Sequence, residues 1–310
     1  MNHKAKAIFG NHPFTEGVKT KPIYIDSSNI GQFIYPDFGL DYSDLNYMYY
    51  SSDTLTVCSM EIGPGGFFNP PDYHPGDEAY FVLEGTITQF NPATGSCIEV
   101  KEGEALLIPK GVLHSAYNFG EEKVKVLAVI APKIVESQEF PTDVNGPKKI
   151  FGYNPQDFDG PTDDFLAPLR YGSIDQMGQW PENGELLREK KLIYHITEER
   201  KLKVIHGDTR PILMKYSVSN DYMDMGEYII PAGGVVTRRS EPISHPGDTF
   251  LLGLDGPVAV YMTQSRETYM LKHYEGLYIP AGTAYMLLNY EAVTGRIIFA
   301  TATLENSGKS

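Results

Sequence analysis

Apolar and polar positions follow one another in short runs along this chain, and glycine and proline separate the runs. Leu55 to Ile62, Ala79 to Phe90, Ala105 to Ile108 and Val124 to Ile130 are rich in β-branched and aromatic residues. Such residues suit a pleated, half-buried surface. Short strands with turn signals between them predict an all-β fold of barrel or sandwich type. Helical periodicity is scarce; Asp163 to Leu169 and Glu185 to Lys191, both mid-chain, are the predicted helices.

The pattern repeats. His74-Pro75-Gly76-Asp77 recurs as His245-Pro246-Gly247-Asp248, and at the same offset Gly85 matches Gly256, Pro109 matches Pro280, Gly111 matches Gly282 and Asn118 matches Asn289. Gly65-Gly66 corresponds to Gly233-Gly234, where the second copy carries three extra residues before its histidine. Matches at one offset along the whole unit mark a duplicated β module. The expected domains are residues 34–132, a connector 133–201, and 202–304. The connector is rich in Pro, Gly and Asp. Its aromatics (Phe140, Phe151, Tyr153, Phe158 and Trp180) are expected to pack over the barrels rather than hang free.

The first copy carries chemistry. Gly66 is followed by Asp72, His74, Glu78 and Gly85, and then by Gly103, Pro109, Gly111, His114 and Asn118. Side chains two apart on a strand share a face, so Asp72 and His74 are expected to enter one lumen. His74, Glu78 and His114 then form a ligand set for a divalent metal. The glycines and Pro109 serve turns, and Asn118 is expected to bond loop backbone.

At these residues the chain resembles the cupin superfamily, whose double-domain members are called bicupins. The resemblance is complete in spacing for the first copy and weaker for the second. It implies two tandem antiparallel jelly-roll barrels with a partly helical connector, and a site inside a barrel mouth. Family positions that bind metal map onto His74, Glu78 and His114. Asp72 stands where the family usually has its first histidine. It is either a fourth metal ligand, a hydrogen-bonding neighbour of the ligands, or a general base. In the second copy Ile243, Thr249 and Tyr285 replace Asp72, Glu78 and His114, leaving only His245. One imidazole does not hold a metal tightly, so this barrel is expected to be metal-free.

Composition narrows the partners. The 310 residues include 26 Lys and Arg against 40 Asp and Glu, a net charge of -14. That surface repels phosphate backbones and anionic lipid, so neither nucleic acid nor membrane is an expected partner. Two cysteines, Cys58 and Cys97, form neither a disulfide framework nor a CxxC pair. No apolar N-terminal stretch marks a signal peptide, and the expected location is the cytoplasm. The resemblance and the strand edges make a homodimer the expected assembly.

For function, the first reading is a non-haem Fe(II) dioxygenase acting on a small polar or aromatic metabolite, with Mn, Zn or Ni as the other metals the site suits. Tyr80 shares strand parity with Glu78 and is assigned, with Asp72, to catalysis. The second reading is an oxygen-independent divalent-metal isomerase, decarboxylase or hydrolase. The third is a non-catalytic small-molecule binder. Fold alone does not choose among them.

Overall fold

A computed structural model describes residues 20–35, 44–52, 54–68, 73–132, 180–181 and 184–303. The predicted helix at Asp163 to Leu169, Asp72 and the connector aromatics other than Trp180 lie outside these residues. In chain order the strands are β1 (Ile23–Ile25), β2 (Gly31–Tyr35), β3 (Asp44–Ser51), β4 (Thr56–Ile62), β5 (Asp77–Glu84), β6 (Thr86–Asn91), β7 (Ser96–Lys101), β8 (Ala105–Ile108), β9 (Ser115–Tyr117) and β10 (Val124–Ala131). A helix α1 (Gly184–Lys190) and β11 (Tyr194–Ile196) follow. The rest are β12 (Leu202–His206), β13 (Ile212–Ser219), β14 (Met223–Ile230), β15 (Arg238–Arg239), β16 (Thr249–Asp255), β17 (Val258–Met262), β18 (Thr268–Leu271), β19 (Gly276–Ile279), β20 (Tyr285–Asn289) and β21 (Gly295–Ala302). No helix among the described residues is long and apolar enough to cross a membrane.

The chain divides into two compact units. In the first, a seven-stranded antiparallel sheet ordered β11-β8-β5-β10-β4-β3-β2 closes over a three-stranded sheet, β7-β6-β9. The core between them holds Met48, Cys58, Met60, Tyr80, Val82, Ile87, Val100, Leu106, Ala116 and Ala128. In the second, the order β1-β19-β16-β21-β14-β13-β12 faces β15-β20-β17-β18, around Tyr216, Tyr228, Leu251, Val260, Tyr285, Leu287 and Phe299. The fold is therefore all-β, as the short apolar runs predict, and forms two tandem jelly-roll barrels, as the resemblance implies.

Strand pairing extends each barrel beyond the boundaries read from the repeat. β11 lies inside the sequence-defined connector yet forms the edge of the first sheet, with Tyr194 opposite Leu107 and Ile196 opposite Ala105. β1 precedes the first repeat and forms the edge of the second sheet, with Ile23 opposite Tyr278 and Ile25 opposite Gly276. These two strands stand at the repeat offset from one another and pair at equivalent registers. The duplicated module thus includes this edge strand, and each barrel takes the copy that precedes the other. Equivalent glutamates secure the two: Glu104 contacts His195 Nε2 at 2.9 Å, and Glu275 accepts the Tyr24 hydroxyl.

The turn that opens β5 has one tight steric requirement. A Cβ on Gly76 would lie 2.0 Å from the carbonyl oxygen of Ala131, and on Gly247 1.9 Å from that of Ala302. Any side chain there would push the His-Pro-Gly-Asp turn off the end of the last strand of its barrel. Between β5 and β6 the chain reverses at Gly85, whose φ of 78° suits glycine.

Candidate metal centre

Three segments of the first barrel deliver the candidate ligands. His74 sits in an unpaired stretch just before β5, not on a strand as the sequence pattern suggested. Glu78 is the second residue of β5. His114 stands immediately before β9, after the Pro109-Lys110-Gly111 turn. All three side chains are buried, and one ligand atom from each lies within 4.8 Å of the others. Glu78 Oε2 is 2.8 Å from His114 Nε2 and 3.5 Å from His74 Nε2. The imidazole centroids are 5.6 Å apart, tilted by 55°.

Backbone contacts aim these groups. His114 Nδ1 donates to the Val112 carbonyl at 3.0 Å, so the neutral ring carries its proton there and presents the Nε2 lone pair to Glu78. Gly111 N donates to the His74 carbonyl at 3.0 Å, tying the first ligand segment to the turn that leads to the third. Burial alone would push the Glu78 carboxyl up, but the Coulombic pull of the imidazolium forms of His74 and then His114 outweighs it and holds the group below the ordinary carboxylate range. Glu78 Oε2 is sealed from solvent and accepts no well-formed hydrogen bond, although it faces both imidazoles. Two imidazole nitrogens and a buried carboxylate oxygen converging in an apolar lumen fit a divalent cation by donor type and number.

The remaining residues fall into place around this cluster. Tyr80, two residues beyond Glu78, faces the same lumen, with its ring edge-on to His114 at 6.1 Å. Asn118 serves loop backbone, donating to the carbonyls of Ile62 and Glu122 at 2.9 and 2.8 Å. The Lys110 side chain is exposed, while its backbone N–H donates to Asp77 Oδ1 at 2.8 Å. Asp77 and Arg188 were not singled out from the sequence. Yet Arg188 Nη2 lies 2.6 Å from Asp77 Oδ2 and Nε lies 3.3 Å from Oδ1. The signal for Asp77 was there: it recurs as Asp248 in the second repeat, although the adjacent Glu78 becomes Thr249.

The second barrel holds a different interior at the corresponding point. His245 Nε2 and the Tyr228 hydroxyl are 2.8 Å apart, and Tyr228 reaches the Tyr285 hydroxyl at 3.0 Å. Thr249 bonds Thr301 at 3.0 Å. The Phe299 ring stacks on Tyr228 at 4.4 Å and on His245 at 6.0 Å. Burial, and then the nearby His206, push the His245 pKa down to about 4, so the ring is neutral at pH 7. Tyr285 takes the place of His114, and its pKa is raised by burial. Arg238 and Arg239 form β15, with Arg239 exposed.

Residues 58–130 match the family model described as Cupin domain. The described residues have the double-barrel cupin fold. Among curated proteins it is similar to germin-like protein subfamily 2 member 3 of Arabidopsis thaliana, 35% identical over 123 residues, or 38% of this chain and 51% of that protein. The chain thus spans about half the length of the curated relatives it matches. Two solved structures share the fold over most of the chain. Salicylate 1,2-dioxygenase from Pseudoaminobacter salicylatoxidans has a TM-score of 0.51 at 16% identity, covering 82% of this chain and 71% of that one. Bacillus subtilis oxalate decarboxylase has a TM-score of 0.54 at 12% identity, covering 94% and 79%. At such identities the likeness shows the cupin fold alone.

Proposed function

We propose that the first barrel holds one divalent metal on His74, Glu78 and His114, and that the chain is a non-haem Fe(II) dioxygenase of a small aromatic or polar metabolite. The observation that carries this reading is the convergence of two imidazoles and one carboxylate within 4.8 Å. Two histidines and a carboxylate cover one face of an ion and leave its other positions open, which gives a chelating substrate and dioxygen adjacent places when the metal is bound. The protein's own part is orientation and exclusion. The Val112 carbonyl keeps His114 in the ligating tautomer. Met48, Met60 and Leu106 keep the lumen dry beneath the ligands. Tyr80 holds the substrate through its hydroxyl, and Asp72 supplies a second carboxylate as fourth ligand or proton acceptor.

A second reading, an oxygen-independent isomerase, decarboxylase or hydrolase with the metal as Lewis acid, is supported by the likeness to oxalate decarboxylase, a protein with Mn(II) centres. One experiment separates the two. Protein purified without oxygen is assayed for metal and then for oxygen uptake on catechols, gentisate-like acids and diketones. Iron with substrate-dependent oxygen uptake is the expected result. Stoichiometric zinc, or turnover of keto-acids without oxygen uptake, would replace it with the second reading. Ligand binding with no turnover in either assay would make the barrel a non-catalytic binder.

A further inference from the structure

The ligand cluster is built on two chain segments, and one buried carboxylate joins them. Asp77, beside Glu78, is 1% exposed. Its Oδ1 accepts the Lys110 N–H at 2.8 Å, inside the turn that delivers His114. The same carboxylate takes a two-pronged contact from Arg188 on α1, Nη2 to Oδ2 at 2.6 Å and Nε to Oδ1 at 3.3 Å. That helix is itself fixed to the barrel. Leu187 is fully buried and Asn91 Nδ2 donates to the Lys191 carbonyl at 2.7 Å. A planar guanidinium held at both nitrogens fixes the carboxylate's direction as well as its charge, which an ammonium does not.

The second barrel provides an internal control. Asp248 accepts the Ala281 N–H at 3.1 Å, the counterpart of the Lys110 contact. Asp248 also accepts the Tyr278 hydroxyl at 3.2 Å. The carboxylate-to-turn tie is therefore part of the shared fold.

We propose that Arg188 is a positioning residue for the metal centre: through Asp77 it locks the Glu78 segment to the His114 segment at the spacing the metal requires. The proposal rests on the metal-site reading above, and the test separates failure of one from failure of the other. Full-length apo-protein is titrated with Co(II) and Mn(II), recording affinity and the Co(II) visible spectrum. The variants are Arg188→Ala, Arg188→Lys and, as the second-barrel control, Tyr278→Phe. Wild type and Tyr278→Phe should bind equally. Arg188→Ala should weaken binding about 10- to 100-fold and shift the Co(II) bands, the effect expected of a residue that orients ligands. Arg188→Lys should recover part of the affinity and remain spectrally distinct. Wild-type protein that binds neither ion refutes the metal-site reading itself. Binding by wild type with unchanged affinity and spectrum in Arg188→Ala overturns the role of Arg188. If Arg188→Ala does not fold, the lysine variant decides: affinity and spectrum identical to wild type overturn the proposal, and weaker binding with shifted bands supports it.

Discussion

Ala128 in the first barrel and Phe299 in the second stand at the same point of the same strand, opposite Cys58 and Gly226 respectively. Met60 and Met48 are likewise matched by Tyr228 and Tyr216. Three positions that carry small or flexible side chains around the ligand cluster carry aromatic rings in the second barrel. Gly226 completes the exchange, because a Cβ there would come within 2.9 Å of the Phe299 ring. The loss of ligands in the second copy was thus accompanied by filling of the space they face. The Tyr228 hydroxyl satisfies the one surviving imidazole, and the barrel keeps its shape by packing. The same backbone supports a polar cluster in one copy and a solid core in the other.

The largest break in this comparison comes from the ligands. His74→Ala or His114→Ala should abolish metal retention, measured by elemental analysis of purified protein, whereas His245→Ala should leave the metal content at the wild-type value. Loss of metal in His245→Ala would reverse the assignment of the two barrels.

Exchanging the fillers comes next. Phe299→Ala should cost about 3 to 5 kcal/mol in urea unfolding, since a buried ring is replaced by a cavity. The reverse change, Ala128→Phe, should cost about 1 to 3 kcal/mol by overpacking and block ligand entry while metal stays bound, as read by calorimetric titration with a catechol. If Ala128→Phe admits the ligand unchanged, that space is not where ligand sits.

A smaller effect distinguishes the barrels by acidity. His245 has a folded pKa near 4, below the unfolded value of about 6.5. Its neutral form is favoured by folding, so its contribution is fully present above pH 6.5 and is lost as pH falls towards 4. The change amounts to at most about 3 kcal/mol. Urea midpoints between pH 7 and 4 should fall more steeply in wild type than in His245→Gln. Equal slopes would show that the ring is not held neutral. Smallest of all, Tyr228→Phe should cost about 1 to 2 kcal/mol by removing the hydroxyl shared between His245 and Tyr285.

What could be read in advance follows from how the information is stored. That His74, Glu78 and His114 would converge was legible because their residue types and spacings are those of a ligand set. The two-barrel plan was legible because the duplication repeats its turns, His-Pro-Gly-Asp above all. Phe299, Tyr228 and Tyr216 were not recognised as a plug. An apolar or aromatic residue on a strand reads as core in either case, and only strand register shows which of them face one another. Arg188 was hidden for a related reason: it lay in a predicted helix as an ordinary charged residue, 111 positions from the carboxylate it holds. The edge strands β1 and β11 were missed because three residues are too few to show alternation. Asp72, on which the sequence reading turned, lies outside the described residues.

The exchanged edge strands also set a timetable for synthesis. β11 emerges from the ribosome when its partner β8 already exists, the linking side chains being 91 residues apart. β1 emerges first of the described strands, and the glutamate that receives Tyr24 comes 251 residues later. At roughly 5 to 20 residues per second, β1 waits on the order of 10 to 50 s for β19 to be made. The first barrel can therefore finish its wall while the second still lacks strands. A three-residue β1 is well suited to that delay, since so short a segment offers little edge for another chain to pair with.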